Sequence, residues 1–226
     1  MKPRGPGQPL PSAIIFDMDG VLVDSEPIHF EATRALLANH GVVYSPGRGE
    51  NFFGFTDREV FRELKTRFAL AATEAELADE WIERVVALLA APLEPLPGVP
   101  GVVEELRRRD IRLALASSSA PAVIDATLAG LGLSTVFEFT VSGHDVSRGK
   151  PAPDIFIEAA RRLDVPRTEC LVVEDSHNGV RAASSAGMRC VVIPCGSTAD
   201  QDFAGATARL ASLAELPAWI RANAWR

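Results

Sequence analysis

The chain has 226 residues, 47% hydrophobic and 23% charged, with a formal net charge of −7. This is the mix of a globular protein with room for one large domain or two unequal ones, and it argues against disordered and fibrous classes. The acidic balance disfavours nonspecific binding to nucleic acid or to a membrane surface, so an anionic ligand would need local positive charge.

The chain opens on MKPRGPGQPLPS, too rich in Pro and Gly for the apolar segment of a signal peptide, and residues 1–12 are expected to form a disordered leader. No apolar run reaches the length a membrane span needs, which leaves a cytoplasmic protein as the expectation. Cys170, Cys190 and Cys195 lack CxxC spacing and lie in or beside apolar runs, reading as buried free thiols in a reducing compartment.

In chain order, the first apolar run is AIIF at 13–16, a strand, followed at once by Asp17, Met18, Asp19 and Gly20. Residues 26–95 then show helical signals and no convincing strand, predicting an all-helical insertion. Thr56 with Glu59 and Thr73 with Glu76 fit capping boxes and place helix starts near 57 and 74. The helices would bury Val60, Phe61, Leu64 and Phe68, then Leu77, Trp81, Val85 and Leu88. PLEPLPGVPG at 92–101 reads as a stiff connector.

Beyond it, IRLALA (111–116), FEFTV (137–141), CLVV (170–173) and CVVI (190–193) read as strands buried on both faces. Helical spacings separate them: Val102, Val103 and Leu106; Val123, Ile124, Thr127, Leu128 and Leu131; Ile155, Phe156, Ala159, Ala160 and Leu163. Strand alternating with helix predicts a parallel sheet. The domains are a core of 13–25 with 96–226, discontinuous in sequence, and a helical cap of 26–95.

Strands of a parallel sheet deliver the residues after them into the crevice where α/β proteins bind ligands. Asp17 and Asp19 follow the first strand, Ser117, Ser118 and Ser119 follow IRLALA, and Glu174 with Asp175 follows CLVV. Lys150 lies between Gly149 and Pro151. Hydroxyls and free N–H groups at the start of the helix carrying Pro121 suit a phosphate. Two carboxylates about 4 Å apart repel by roughly 4 kcal/mol at an effective dielectric near 20. One lysine does not offset four acids, so a divalent cation is expected, and oxygen ligands favour Mg²⁺ over Zn²⁺.

DMDGVLVDSEP, ASSS, GKPAPDIF and VVEDSHNG together resemble the motifs of the haloacid dehalogenase superfamily, in its branch of phosphatases and β-phosphoglucomutase-like enzymes. The resemblance spans residues 13–196 and implies an α/β fold. Its core would be a Rossmann-like parallel sheet, with the first strand between those bearing Ser117 and Glu174, and its inserted cap all-helical. It implies that Asp17 is the nucleophile and a metal ligand, and that Asp19 is the acid/base, its backbone carbonyl a further ligand. Ser117, Ser118 and Lys150 would hold the phosphoryl group. Asp175 would bind Mg²⁺, with Glu174 direct or bridged by water.

Other residues stay open. Asp24 and Ser25 read as helix caps rather than catalytic groups. His29, Gly54 and Arg58 are candidates for substrate contact, and Phe52, Phe53 and Phe55 for cap core or substrate loop. The expected substrate is a small phosphorylated metabolite, with no nucleic-acid or membrane partner and a monomer or dimer as the assembly. A β-phosphoglucomutase-type mutase is the alternative to a phosphatase. It is disfavoured because Asp57 stands where the mutase pattern has arginine, with Arg58 one place along, and EWIERVV at 80–86 supplies no lysine. A dehalogenase and a receiver-type switch fit less well, since neither needs Asp19 as an acid together with a cap.

Overall fold

The computed structural model describes residues 10–44, 57–223 and 225. Its sheet is built from β1 (Ala13–Phe16), β2 (Arg112–Ser117), β3 (Phe139–Ser142), β4 (Cys170–Glu174), β5 (Arg189–Val192) and β6 (Ala208–Arg209). All pairings are parallel, in the order β3-β2-β1-β4-β5-β6. β1 therefore lies between the strands carrying Ser117 and Glu174, as the motif resemblance implied. Phe16 is in register with Leu115 and Val173, so the residues after all three leave at one edge.

Alternation along each strand sends side chains to two separate cores. Ile14, Phe16, Leu113, Leu115, Leu171 and Val173 share one cluster, and Ala13, Ile15, Ala114, Ala116, Val172 and Cys190 share the other. Because both faces are buried, these strands read as continuous apolar runs rather than alternating ones. The first face is covered by α4 (Val99–Arg108), α5 (Pro121–Gly130) and α8 (Leu216–Ala222), through residues such as Val103, Ile124 and Ile220. The second is covered by α6 (Asp154–Leu163) and α7 (His177–Ser185), through Phe156, Ala160, Val180 and Ala183.

Three helices intervene between β1 and α4: α1 (Glu26–Asn39), α2 (Asp57–Phe68) and α3 (Glu74–Leu89). α3 packs on both α1 and α2, and also touches α5. The chain enters and leaves this helical segment side by side, with Val23 bridged to Pro95 and Leu96 N–H donating to Leu22 O at 2.9 Å. Thr73 and Glu76 form the expected capping box at the start of α3. The Thr56–Glu59 pair lies outside what is described.

Three expectations change. Leu10, Pro11 and Ser12 are not part of a loose leader. Ser12 N–H donates to Glu169 O at 2.9 Å, its hydroxyl reaches Glu169 Oε2 at 2.6 Å, and its carbonyl receives Arg112 N–H. At the end of α3 it is Leu89, four residues beyond Val85, that is buried, whereas Leu88 is 38% exposed. Cys170 and Cys190 are buried thiols, but Cys195 is half-buried. Among the described residues no helix is long and apolar enough to cross a membrane.

Candidate active site

Every element that ends at the carboxyl edge of the central strands contributes to one cavity of about 220 Å³. From the sheet side it is lined by Asp17, Asp19, Gly20, Ser118, Ser119, Lys150, Asp175, Ser176, Cys195 and Ser197. His29, Phe30, Thr33, Tyr44, Phe61 and Trp81 approach from the helical segment. Gly20 has φ +77° and turns the chain back, and a Cβ on it would lie 2.2 Å from Asp175 Oδ2. Glycine is thus required twice over, by backbone conformation and by the carboxylate lying against it.

Lys150 is buried at the floor, only 4% exposed. Its ammonium donates to Asp17 Oδ1 at 2.5 Å, to Glu174 Oε1 at 2.6 Å and to Ala116 O at 3.2 Å. Both acids hold the ammonium in its charged form, against the cost of burial. One lysine shared by two carboxylates cannot neutralise both. Burial lifts Asp17 to about 8, Lys150 pulling it back down and Glu174 and Asp19 pushing it further up. Burial and the neighbouring Glu174 and Asp17 also raise Asp175 well above the usual carboxylate range.

Oxygens of Asp17, Glu174 and Asp175 all lie within 4.8 Å of one another. If ionised, these three acids against one lysine leave two uncompensated negative charges. Protonation would relieve that, but so would a divalent cation, and a hard all-oxygen donor set suits one. The residues present therefore fit a resident divalent metal.

Glu174 is the least available of the three as a direct ligand. Its Oε2 accepts Asp175 N–H, Ser176 N–H and the Ser176 hydroxyl, each at 3.0 Å, while Oε1 faces Lys150. Ser176 caps α7, accepting Gly179 N–H at 3.1 Å, and a Cβ on Gly179 would sit 1.8 Å from the Glu174 carboxylate. The carboxylate is thereby locked into the first turn of that helix.

Asp19 is held by hydroxyls. Ser25 donates to Oδ1 at 2.5 Å, Ser119 to Oδ2 at 3.2 Å and Ser117 to Oδ2 at 3.4 Å, with His29 Nε2 at 3.9 Å from Oδ1. Ser25 does occupy the N-cap of α1, yet its backbone is already helical (φ −91°, ψ −6°), its side chain makes no capping bond, and its hydroxyl turns to Asp19 instead. Asp24 accepts Glu26 N–H at 3.4 Å. His29 faces the cavity, its ring 5.2 Å from that of Trp81, whose indole N–H donates to Thr33 Oγ1.

The expected phosphate-side serines take different places. Ser117 is fully buried, its oxygen accepting Ser119 N–H at 3.1 Å, and it does not line the cavity; Ser118 and Ser119 do. Ser117 is the last residue of β2, and its hydroxyl still reaches Asp19 Oδ2 at 3.4 Å. Gly54 and the Arg58 side chain, with Phe52, Phe53 and Phe55, lie outside the described residues. Four participants carried no signal in the sequence reading: Ser25 and Ser119 as holders of Asp19, and Cys195 with Thr198 beside Asp175. The first two sit within quoted motifs. Cys195 and Thr198 follow β5, and only the pairing of β5 with β4 brings them near.

Comparison with known proteins agrees with this geometry. The haloacid dehalogenase-like hydrolase model matches residues 11–187. Protein CbbY of Cereibacter sphaeroides is 35% identical, over 90% of this chain and 93% of its own length. Fructose-1-phosphate phosphatase YqaB of Escherichia coli is also 35% identical, over 80% of this chain and 95% of its own. The crystal structure of CbbY from Rhodobacter sphaeroides in complex with phosphate superposes with a TM-score of 0.77 at 35% identity, covering 91% of this chain and 96% of that one. By its motifs, its strand order and these likenesses, the chain belongs to the haloacid dehalogenase-like hydrolases.

Proposed function

We propose that the chain is a phosphoric monoester hydrolase acting on a small phosphate ester, a sugar phosphate or a similar metabolite, with Asp17 as nucleophile. One observation carries the reading. Asp17, buried and bound to Lys150 at 2.5 Å, opens onto the same cavity as Asp19, a second carboxylate with its own separate set of partners. Two carboxylates in contrasting surroundings suit two roles, one forming a bond to phosphorus and one moving protons. The relatives named above, one a phosphatase of fructose 1-phosphate and one crystallised with phosphate, support the substrate class.

Asp17 attacks phosphorus and becomes an aspartyl phosphate as the leaving oxygen departs. Asp19 gives that oxygen a proton, then accepts one from the water that hydrolyses the acyl phosphate. Ser25 and Ser119 fix the Asp19 carboxylate at the cavity wall for both transfers. Lys150 balances charge on Asp17 and on the phosphoryl oxygens, and Ser118 with the start of α5 offers donors to the remaining oxygens. Asp17, Asp175 and the Asp19 backbone carbonyl would hold Mg²⁺, with Glu174 behind them; when bound, the ion neutralises phosphoryl charge and keeps both acids ionised. The helices of residues 26–95 act as a cap that closes the cavity against bulk water.

A mutase must grip a second phosphate. Among the described residues the cavity is lined by one permanent cation, Lys150, and Arg84 of the cap is paired with Glu80 at 2.7 Å. Hydrolysis is favoured by the departures of Asp57 and EWIERVV from the mutase pattern. Incubating the protein with Mg²⁺ and a panel of sugar phosphates, phosphoglycolate and 6-phosphogluconate should release inorganic phosphate. Asp17→Asn should reduce release to background, and Asp19→Ala should cut kcat by about 10²- to 10⁴-fold. Conversion of β-glucose 1-phosphate to glucose 6-phosphate faster than phosphate appears would instead identify a mutase.

A further inference from the structure

We infer that the turn following β5, residues 195–198, is a positioning device for Asp175, with the Thr198 hydroxyl as its principal contact. The inference rests on the metal-binding role proposed above for Asp175 and adds the residues that orient it. Asp175 Oδ2 accepts from two side chains of this turn, the Thr198 hydroxyl at 3.3 Å and the Cys195 thiol at 3.2 Å.

The turn is closed on itself. Thr198 N–H donates to Cys195 O at 3.2 Å, and Cys195 N–H donates back to Thr198 Oγ1 at 3.0 Å. That second bond occupies a lone pair of the hydroxyl and leaves its one proton to be placed. The candidates are the Asp175 carboxyl at 3.3 Å, the Cys195 sulfur at 3.4 Å and the Cys195 carbonyl at 3.5 Å; a carboxyl oxygen is a far better acceptor than sulfur and is nearer than the carbonyl, so it takes the proton. Thr198 is fully buried, so no solvent competes for the hydroxyl.

On its far side Asp175 Oδ2 rests against Gly20, where even a methyl group would collide. The carboxylate is clamped between the backbone of the Asp17–Gly20 loop and the turn after β5. Orienting one oxygen in this way fixes where the other points, lowering the entropic cost of binding an ion. Partners of a metal ligand typically contribute 10- to 100-fold in metal affinity. A purely structural turn would affect stability and leave ion affinity alone, which separates the two roles.

The test is a titration of the full chain with Mn²⁺ alone, a hard ion read as free aquo-ion by electron paramagnetic resonance, with Mg²⁺ as competitor. Thr198→Val should weaken Mn²⁺ binding by about tenfold or more, and Thr198→Ser should restore it. In phosphate release, Thr198→Val should demand more Mg²⁺ and recover most of its rate at saturation. Unchanged Mn²⁺ affinity in folded Thr198→Val would overturn the inference while leaving the proposed reaction standing. If that variant does not fold, Cys195→Ala takes its place, and unchanged affinity there overturns the inference equally. A wild-type protein that binds no Mn²⁺ would remove the metal reading itself.

Discussion

Asp17 shows how much one side chain's surroundings can set. Burial holds its proton to about 8, against about 3.9 for an unfolded aspartate. Between those values the folded chain keeps a proton that the unfolded chain has lost, so this group's contribution to stability is present at low pH and disappears as pH rises through 8. Without a divalent ion, the melting temperature should therefore fall from pH 5 to pH 8. Asp17→Asn cannot titrate and should show a shallower fall, part of the slope remaining because Asp175 is raised as well. Calorimetry in EDTA reads this directly. Parallel curves for wild type and variant would show that Asp17 does not carry this titration.

At the scale of elements, the first turn of α7 and the end of β4 form one unit around Glu174. Replacing a helical glycine by alanine ordinarily gains about 1 kcal/mol, but at Gly179 the new Cβ would sit 1.8 Å from the Glu174 carboxylate. Overpacking of that kind costs about 1–3 kcal/mol, and relief requires Glu174 to leave Lys150. Gly179→Ala should lower the melting temperature and depress phosphate release beyond what the lost stability explains. A stabilised, fully active variant would show that Glu174 is free to move.

The elements themselves were largely legible in the sequence. Buried strands such as AIIF and CLVV announce themselves as apolar runs, and the acids follow them because a parallel sheet exposes its carboxyl edge. β6, with one half-buried and one exposed residue, has too little pattern to read. Contacts made through topology alone were equally silent. Nothing local in Cys195 or Thr198 points to Asp175, and nothing in Ser25 distinguishes a cap from a partner of Asp19.

Across the whole molecule, the chain's far end is tied to the edge of the sheet. Trp225 is 4% exposed, its indole N–H donates to Thr168 O at 3.1 Å, and the Arg189 guanidinium lies 4.1 Å above its ring. Arg189 opens β5, so this contact supports the strand that leads to the Cys195 turn. Trp225→Ala should cost about 3 kcal/mol, read by urea denaturation, with a small change in the unfolding midpoint contradicting the assignment. The candidate site lies at the opposite, carboxyl edge of the sheet, so this contact and the proposed chemistry draw on different parts of one scaffold.

The proposed reaction turns on a single covalent bond, between a carboxylate oxygen of Asp17 and phosphorus. Acid quenching during turnover, followed by borohydride reduction and peptide mass spectrometry, converts an aspartyl phosphate to homoserine and reports its position. Homoserine is expected at residue 17, dependent on substrate and lost when Asp19 remains but Asp17 is Asn. Homoserine at another position, or steady turnover with none formed at 17, would contradict it.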